Sequence, residues 1–207
     1  MYRRFLILFI LLCASICIAN PGWFSADYTD STGSIAYEEY GGGGTCSTYL
    51  SQITGTSTSW TFGKNTTIAY AGNRNFDFGS NESVCTIAVK VGKVGTPTTD
   101  VRIKIFTMSG TSLGSIITNG TSDAVNGASF SSEDVVEFTF QTHPSVSNGT
   151  LYGVAAHTDS YDNTNYYYLV ATTGSDVISG AVNQWQDSKN SYTTDATGDI
   201  YIIIKTE

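Results

Sequence analysis

The chain of 207 residues is long enough for one domain with a full hydrophobic core, but only 14% of its residues are charged, against roughly 25% in average soluble proteins. Its formal net charge of −8 repels phosphate backbones, which argues against nucleic acid as a partner. The 13 Tyr and 10 Phe residues, together with abundant Ser, Thr, Asn and Gly, are typical of strands and turns and argue against an all-helical protein.

The N-terminus carries the pattern of a secretory signal peptide. Arg3 and Arg4 precede a long apolar stretch, and two small residues, Cys17 and Ala19, come just before the expected cleavage site. We therefore predict that residues 1–19 are removed and that the mature protein is secreted, either extracellular or on the cell surface. The apolar stretch is shorter than the roughly 20 residues of a membrane span, so we expect no membrane span in the mature form; an uncleaved anchor is the alternative.

A glycine-rich segment follows the predicted signal peptide. Residues 20–45 contain few aliphatic side chains and end in four consecutive glycines before Thr45. Such a run loses too much entropy on ordering to form a regular element. We predict a flexible leader over residues 20–45 and a folded domain over residues 46–207.

The number of cysteines predicts one disulfide. Of the four cysteines, two lie in the predicted signal peptide, which leaves Cys46 and Cys85. An even number of cysteines in an oxidising compartment indicates pairing. Two free thiols are the alternative, and a reducing compartment would favour them.

Alternating apolar and polar residues predict a series of β-strands from Thr66 onward, with turn clusters between them. In one clear run, Ile103 faces one side while Arg102 and Lys104 face the other, a separation that a helix would not produce. The sequence thus predicts an all-β fold, a single-domain antiparallel β-sandwich. The same alternation predicts a core that contains Ile87, Val89, Val101, Ile103, Ile105, Val136, Phe138, Phe140, Ile200, Ile202 and Ile204.

Five runs between residues 76 and 205 are similar to one known family: Phe78–Ile87, Val91–Phe106, Gly110–Gly114, Asn148–Val154 and Asn165–Tyr168. They resemble the choice-of-anchor jelly-roll surface domains of bacteria and phages. The hairpin sequence Lys-Val-Gly-Thr-Pro-Thr is the most specific of these motifs. The resemblance implies a double-sheet jelly roll that serves as an accessory part of surface or virion proteins, and it supplies no catalytic residues.

The densest polar cluster lies between His157 and Asn165. Asp159, Asp162 and Asn163 offer several oxygen ligands within one loop, which is the ligand type that Ca²⁺ prefers. We therefore consider these three residues as candidate ligands of a calcium ion. The alternative is an ordinary loop closed by its own side-chain hydrogen bonds, which Asp and Asn form without metal.

Aromatic residues close to this loop suggest a carbohydrate site. A flat ring can stack on the apolar face of a sugar while amides and carboxylates bind its hydroxyl groups. We predict one composite ligand-binding site at the end of the sandwich, with or without calcium. The alternative buries Trp185 between the sheets and leaves the polar loop as an unoccupied turn. The predicted site consists of Asp159, Asp162, Asn165, Tyr167 and Trp185.

The sequence contains no motif of a known catalytic centre. Its two histidines, His143 and His157, do not occur at a metal-ligand spacing, although His157 and Asp159 alternate onto one strand face. We therefore expect a secreted, non-enzymatic binding or surface module, carbohydrate-binding or adhesive, whose partner is a glycan or a surface protein. A structural subunit or decoration of a virion or surface assembly is the second hypothesis, and a glycan-active enzyme is the third.

Overall fold

Fourteen strands and one 3₁₀ turn form the regular structure of the computed structural model, which describes residues 45–53, 57–172, 178 and 180–207. The predicted signal peptide and, apart from Thr45, the predicted leader lie outside the described residues. The strands are β1 Ser47–Gln52, β2 Ser57–Phe62, β3 Tyr70–Asp77, β4 Glu82–Val94, β5 Asp100–Ser109, β6 Ser112–Thr121, β7 Val125–Asn126, β8 Glu133–Thr139, β9 Ser145–Val146, β10 Leu151–Thr158, β11 Tyr166–Thr172, β12 Ala181–Trp185, β13 Ser191–Asp195 and β14 Ile202–Thr206.

The strands form two antiparallel sheets. The first sheet has the order β1-β14-β4-β11-β2, and β8 and β9 also pair with β4. The second sheet has the order β13-β12-β3-β10-β5-β6, and β7 also pairs with β5. The two sheets pack face to face, so the predicted all-β sandwich is confirmed. None of the helical segments in the described part of the chain has the length and apolarity needed to cross a membrane.

The inner faces of both sheets form the main core, as the alternation predicts. Side chains from β4 and β14 of the first sheet meet those from β5 and β10 of the second. Ten of the eleven predicted core residues are buried, and Ile103 lies inside while Arg102 and Lys104 lie on the opposite face. The exception is Val136 in β8, which packs against the core but is only partly buried.

Cys46 and Cys85 are joined by a disulfide, which confirms the predicted pair. Their Cα atoms lie 6.2 Å apart, within the range that a disulfide spans. The bond attaches the residue just before β1 to the middle of the sheet at β4.

A second, smaller core covers the outer face of the second sheet. The tips of the β5–β6 and β12–β13 hairpins meet above this face, where the Leu113 amide donates to the Lys189 carbonyl at 2.9 Å and the Lys189 ammonium donates to the Gly114 carbonyl at 3.2 Å. Gly153 leaves the space for this cover, because a Cβ there would lie 2.4 Å from Leu113 Cδ2. The residues buried in this second core are Ala69, Tyr70, Phe106, Leu113, Ala155 and Trp185.

Candidate functional site

Trp185 is buried, so it does not form the exposed stacking surface that the sequence analysis predicts. Its indole lies in the second core, and Nε1 donates a hydrogen bond to the Thr111 carbonyl at 2.8 Å. The physical reason is that the two hairpin tips fold over the outer sheet face and cover the ring. The indole therefore supports the fold and is not accessible to a sugar.

Tyr167 is also buried and cannot contribute to a ligand site as predicted. Its ring stacks on Phe62 at a centroid distance of 5.5 Å and meets the edge of Phe130 at 5.8 Å. Its hydroxyl donates to the Thr99 carbonyl at 2.6 Å, which satisfies the polar end of the side chain. The composite site of five residues is therefore wrong, because two of its members belong to the interior.

The loop that contains the three other predicted residues is closed by its own hydrogen bonds. Asp162 Oδ1 accepts from the backbone amide and the hydroxyl of Thr164, at 2.8 and 2.7 Å, and Oδ2 accepts from Asn165 Nδ2 at 2.7 Å. These bonds favour the charged carboxylate and hold the pKa of Asp162 well below its usual range. Asn165 Oδ1 in turn accepts from the Thr96 amide at 2.8 Å, which ties the loop to the turn between β4 and β5.

The oxygen atoms considered for calcium lie beside separate protein groups. Asp159 Oδ1 lies 3.6 Å from His157 Nδ1, whereas Asn163 Oδ1 accepts from Asn65 Nδ2 at 3.3 Å. Asp162 is already bonded within its own loop. This arrangement corresponds to the self-bonded loop that was the alternative, and the calcium site stays a prediction without geometric support.

An open groove lies between this loop and the turn that joins β4 to β5. Its volume is about 250 Å³, and hydroxyl, amide and carboxylate groups form most of its wall. Ser160 and Thr98 are exposed at the groove. The lining residues are Thr96, Pro97, Thr98, Thr99, Ser160, Asp162 and Asn165. The groove therefore contains two of the five predicted site residues, Asp162 and Asn165.

A cluster of ionisable side chains lies beside the second core, on the outer face of the second sheet. His157 is 6% exposed, stacks on Tyr70 at a centroid distance of 4.3 Å and has Nδ1 3.0 Å from Lys104 Nζ. Burial lowers the pKa of His157 to about 4, with a smaller contribution from the nearby positive charge of Lys104. Burial also lowers the pKa of Lys104. Because an ammonium group only donates, the neutral imidazole accepts at Nδ1 and carries its proton on Nε2.

Tyr161 connects the ionisable cluster to the groove-side loop. Its hydroxyl donates to Asp187 Oδ1 at 2.6 Å, and its ring meets the edge of His157 at a centroid distance of 6.5 Å. Burial, followed by the hydrogen bond to the Asp187 carboxylate, raises the pKa of Tyr161. The same short loop thus bears Tyr161 on the cluster and Asp162 on the groove.

The sequence patterns do not reveal the ionisable cluster as a unit. Alternation places His157 and Asp159 on one strand face and Lys104 outward, but it does not bring these side chains together. The strand register does so, because β10 pairs with β5, where Ala155 lies opposite Lys104 and His157 lies two residues further along β10. No local pattern in the sequence specifies this long-range pairing.

The chain matches no protein-family model, and comparison with curated proteins and with solved structures finds no significant match.

Proposed function

We propose that the protein is a secreted, non-enzymatic binding module that takes a hydroxyl-rich ligand, such as one sugar unit of a glycan, in the groove at the end of the sandwich. The observation that supports this most directly is the polar lining of that groove. Loops at the ends of β-sandwiches are frequent binding surfaces because a rigid scaffold holds them. The secretory signal and the family resemblance predicted from the sequence point to the same kind of protein.

The groove can exchange hydrogen bonds with a sugar in both directions. The exposed hydroxyls of Thr98 and Ser160 can donate and accept. The Asp162 carboxylate is held in its charged form and in one orientation by Thr164 and Asn165. A carboxylate oxygen that accepts one bond retains a lone pair for a ligand hydroxyl, and such charge-assisted bonds are stronger than neutral ones.

The chemistry of the groove also predicts a low affinity for a single site. None of the residues that line it is aromatic, so no ring is available to stack on the sugar. Its volume of about 250 Å³ is slightly below the range of roughly 300–1,000 Å³ usual for small-molecule pockets, which fits one sugar unit better than a long chain. We expect a dissociation constant on the order of millimolar for a monosaccharide, with stronger apparent binding to multivalent glycans.

A glycan array followed by titration in solution tests this function. Ser160→Trp places a large side chain at the groove and should abolish saturable binding. Ser147→Trp is the matched control, because Ser147 is also exposed but precedes the start of β10, whereas Ser160 follows its end. Equal binding by both variants would rule out the groove. If the unaltered protein gives no saturable signal with any glycan, the structural-subunit hypothesis becomes the better one.

A further inference from the structure

Four side chains with metal-binding atoms meet at one position on the first sheet. Cys46, Cys85, His143 and Glu207 each place a sulfur, nitrogen or oxygen atom within 4.8 Å of the other three. Among the described residues, this is the one place where at least three such side chains converge. We propose that reduction of the Cys46–Cys85 disulfide converts this cluster into a four-coordinate Zn²⁺ site, independent of the glycan-binding function proposed above.

The strand β4 holds Cys85 and His143 in place through backbone hydrogen bonds. The Phe140 amide donates to the Cys85 carbonyl at 2.9 Å, and the Val84 amide donates to the Pro144 carbonyl at 3.0 Å. These two bonds fix the chain on both sides of His143. The imidazole therefore lies beside Cys85 whether or not the disulfide is present.

The other two ligands are fixed to the same strand and to its neighbour. The Glu207 amide donates to the Ser83 carbonyl at 3.0 Å, so the last residue of the chain lies against β4. Cys46 directly precedes Ser47, which pairs with Thr206 in the ladder between β1 and β14. Four separate segments thus bring their ligands to one point through hydrogen bonds that do not involve the disulfide.

The ligand set suits zinc. Zn²⁺ binds thiolate sulfur at about 2.3 Å and imidazole nitrogen or carboxylate oxygen at about 2.0–2.2 Å, in tetrahedral geometry. These lengths require about 3.4 Å between the nitrogen and the oxygen, and His143 Nδ1 already lies 3.1 Å from Glu207 Oε1. The two sulfurs must move apart to about 3.8 Å once their bond is reduced, which side-chain rotation can provide. The His143 and Glu207 side chains are both 29% exposed, so an ion can enter from solvent.

The chemical balance requires a reductant, which we take to be a dithiol. The dithiol transfers two electrons and two protons to the Cys46–Cys85 bond, which gives two thiols, while the dithiol itself becomes a disulfide. Zn²⁺ then displaces the two thiol protons, which are released to solvent. Disulfide and zinc are therefore alternative cross-links between the same segments, one for oxidising and one for reducing surroundings.

Metal binding to the reduced protein tests the proposal. The disulfide is reduced with a phosphine, the reagent is removed without oxygen, and Co²⁺ is added as a spectroscopic probe. We expect one Co²⁺ per chain with the visible absorption of a tetrahedral thiolate site, displaced by one equivalent of Zn²⁺. His143→Ala and Glu207→Gln should each weaken Zn²⁺ binding by more than about 100-fold, because even the loss of a hydrogen bond that supports a metal ligand costs roughly 10–100-fold. Glu137→Gln is the matched control, because Glu137 also lies beside a basic side chain, Lys205 at 2.7 Å, but does not belong to the cluster.

The outcomes separate the proposed site from two thiols that bind zinc by chance. Affinity that His143→Ala and Glu207→Gln leave unchanged would overturn the four-ligand site. So would a reduced protein that is unfolded by near-UV circular dichroism in the presence of zinc, because the ligands come from four segments that only the fold brings together. The oxidised protein should bind no Co²⁺ at the same concentration.

Discussion

The burial of His157 should make the stability of the protein depend on pH between about 4 and 6.5. An imidazole in an unfolded chain has a pKa of about 6.5, whereas burial and Lys104 lower the pKa of His157 to about 4 in the folded protein. Between these two values the unfolded chain binds a proton that the folded protein does not. The free energy of unfolding should therefore fall as the pH decreases from 6.5 to 4, and His157 should contribute no further change below that range.

The size of the effect follows from the separation of the two pKa values. One pH unit corresponds to 1.36 kcal/mol, so the full separation corresponds to about 3 kcal/mol. This is a large share of the 5–15 kcal/mol by which a typical domain is stable. His157 is almost fully buried, so solvent screens the effect little. The charged and titratable groups around the imidazole are Tyr70, Arg102, Lys104, Asp159, Tyr161 and Asp187.

Urea unfolding at several pH values between 4 and 7, with the disulfide intact, measures this slope. His157→Gln keeps an acceptor for Lys104 but removes the titrating group, so its free energy of unfolding should change by about 3 kcal/mol less than that of the unaltered protein over this range. Ser147→Gln introduces the same side chain at an exposed position and should leave the slope in place. If the unaltered protein and His157→Gln show the same pH dependence, burial does not lower the pKa of His157.

Three further predictions concern the two cores and the cross-link. Trp185→Ala should lower the free energy of unfolding by about 3–5 kcal/mol, and a loss below 1 kcal/mol in urea titrations would show that the indole is not buried. Gly72→Ala should destabilise the protein more than Gly153→Ala. A Cβ at 72 would lie 1.9 Å from the Val154 carbonyl oxygen, whereas the atoms within 3 Å of a Cβ at 153 are the side-chain atoms Leu113 Cδ2 and Met108 Sδ. The reverse order of melting temperatures would contradict this packing. Replacing Cys46 and Cys85 together by serine should cost about 4 kcal/mol by the chain-entropy argument, measured as the shift in urea unfolding, and an unchanged midpoint would mean that no disulfide forms.

The parts of the fold that depend on local periodicity could be predicted from the sequence. Alternation separates the inner from the outer face of β5, because only one face of the strand can bury Val101, Ile103 and Ile105 together. The disulfide followed from the number of cysteines and the predicted compartment. These inferences need only the side-chain period of a strand and the chemistry of one residue type.

The candidate site could be predicted only in part, because burial on the outer sheet face depends on distant segments. In the structure, Trp185 lies with Ala181 and Asn183 on the outer face of β12, which only another segment of the chain can cover. The cover comes from the β5–β6 hairpin, more than 70 residues earlier, and no local pattern indicates that contact. Asp162 and Asn165 were predicted correctly as neighbours, since a short polar loop keeps its own side chains close.

The contact between the two hairpin tips has a consequence for how the protein opens in solution. The outermost strands of a sheet normally fray independently, and β6 and β13 lie at opposite margins of the second sheet. Here the bonds between Leu113, Gly114 and Lys189 join those margins across the sheet face, with Trp185 enclosed beneath. Either margin can detach only if the indole is exposed to water. The amide hydrogens of both margins should therefore show one common free energy of opening in deuterium exchange, as a single cooperative unit.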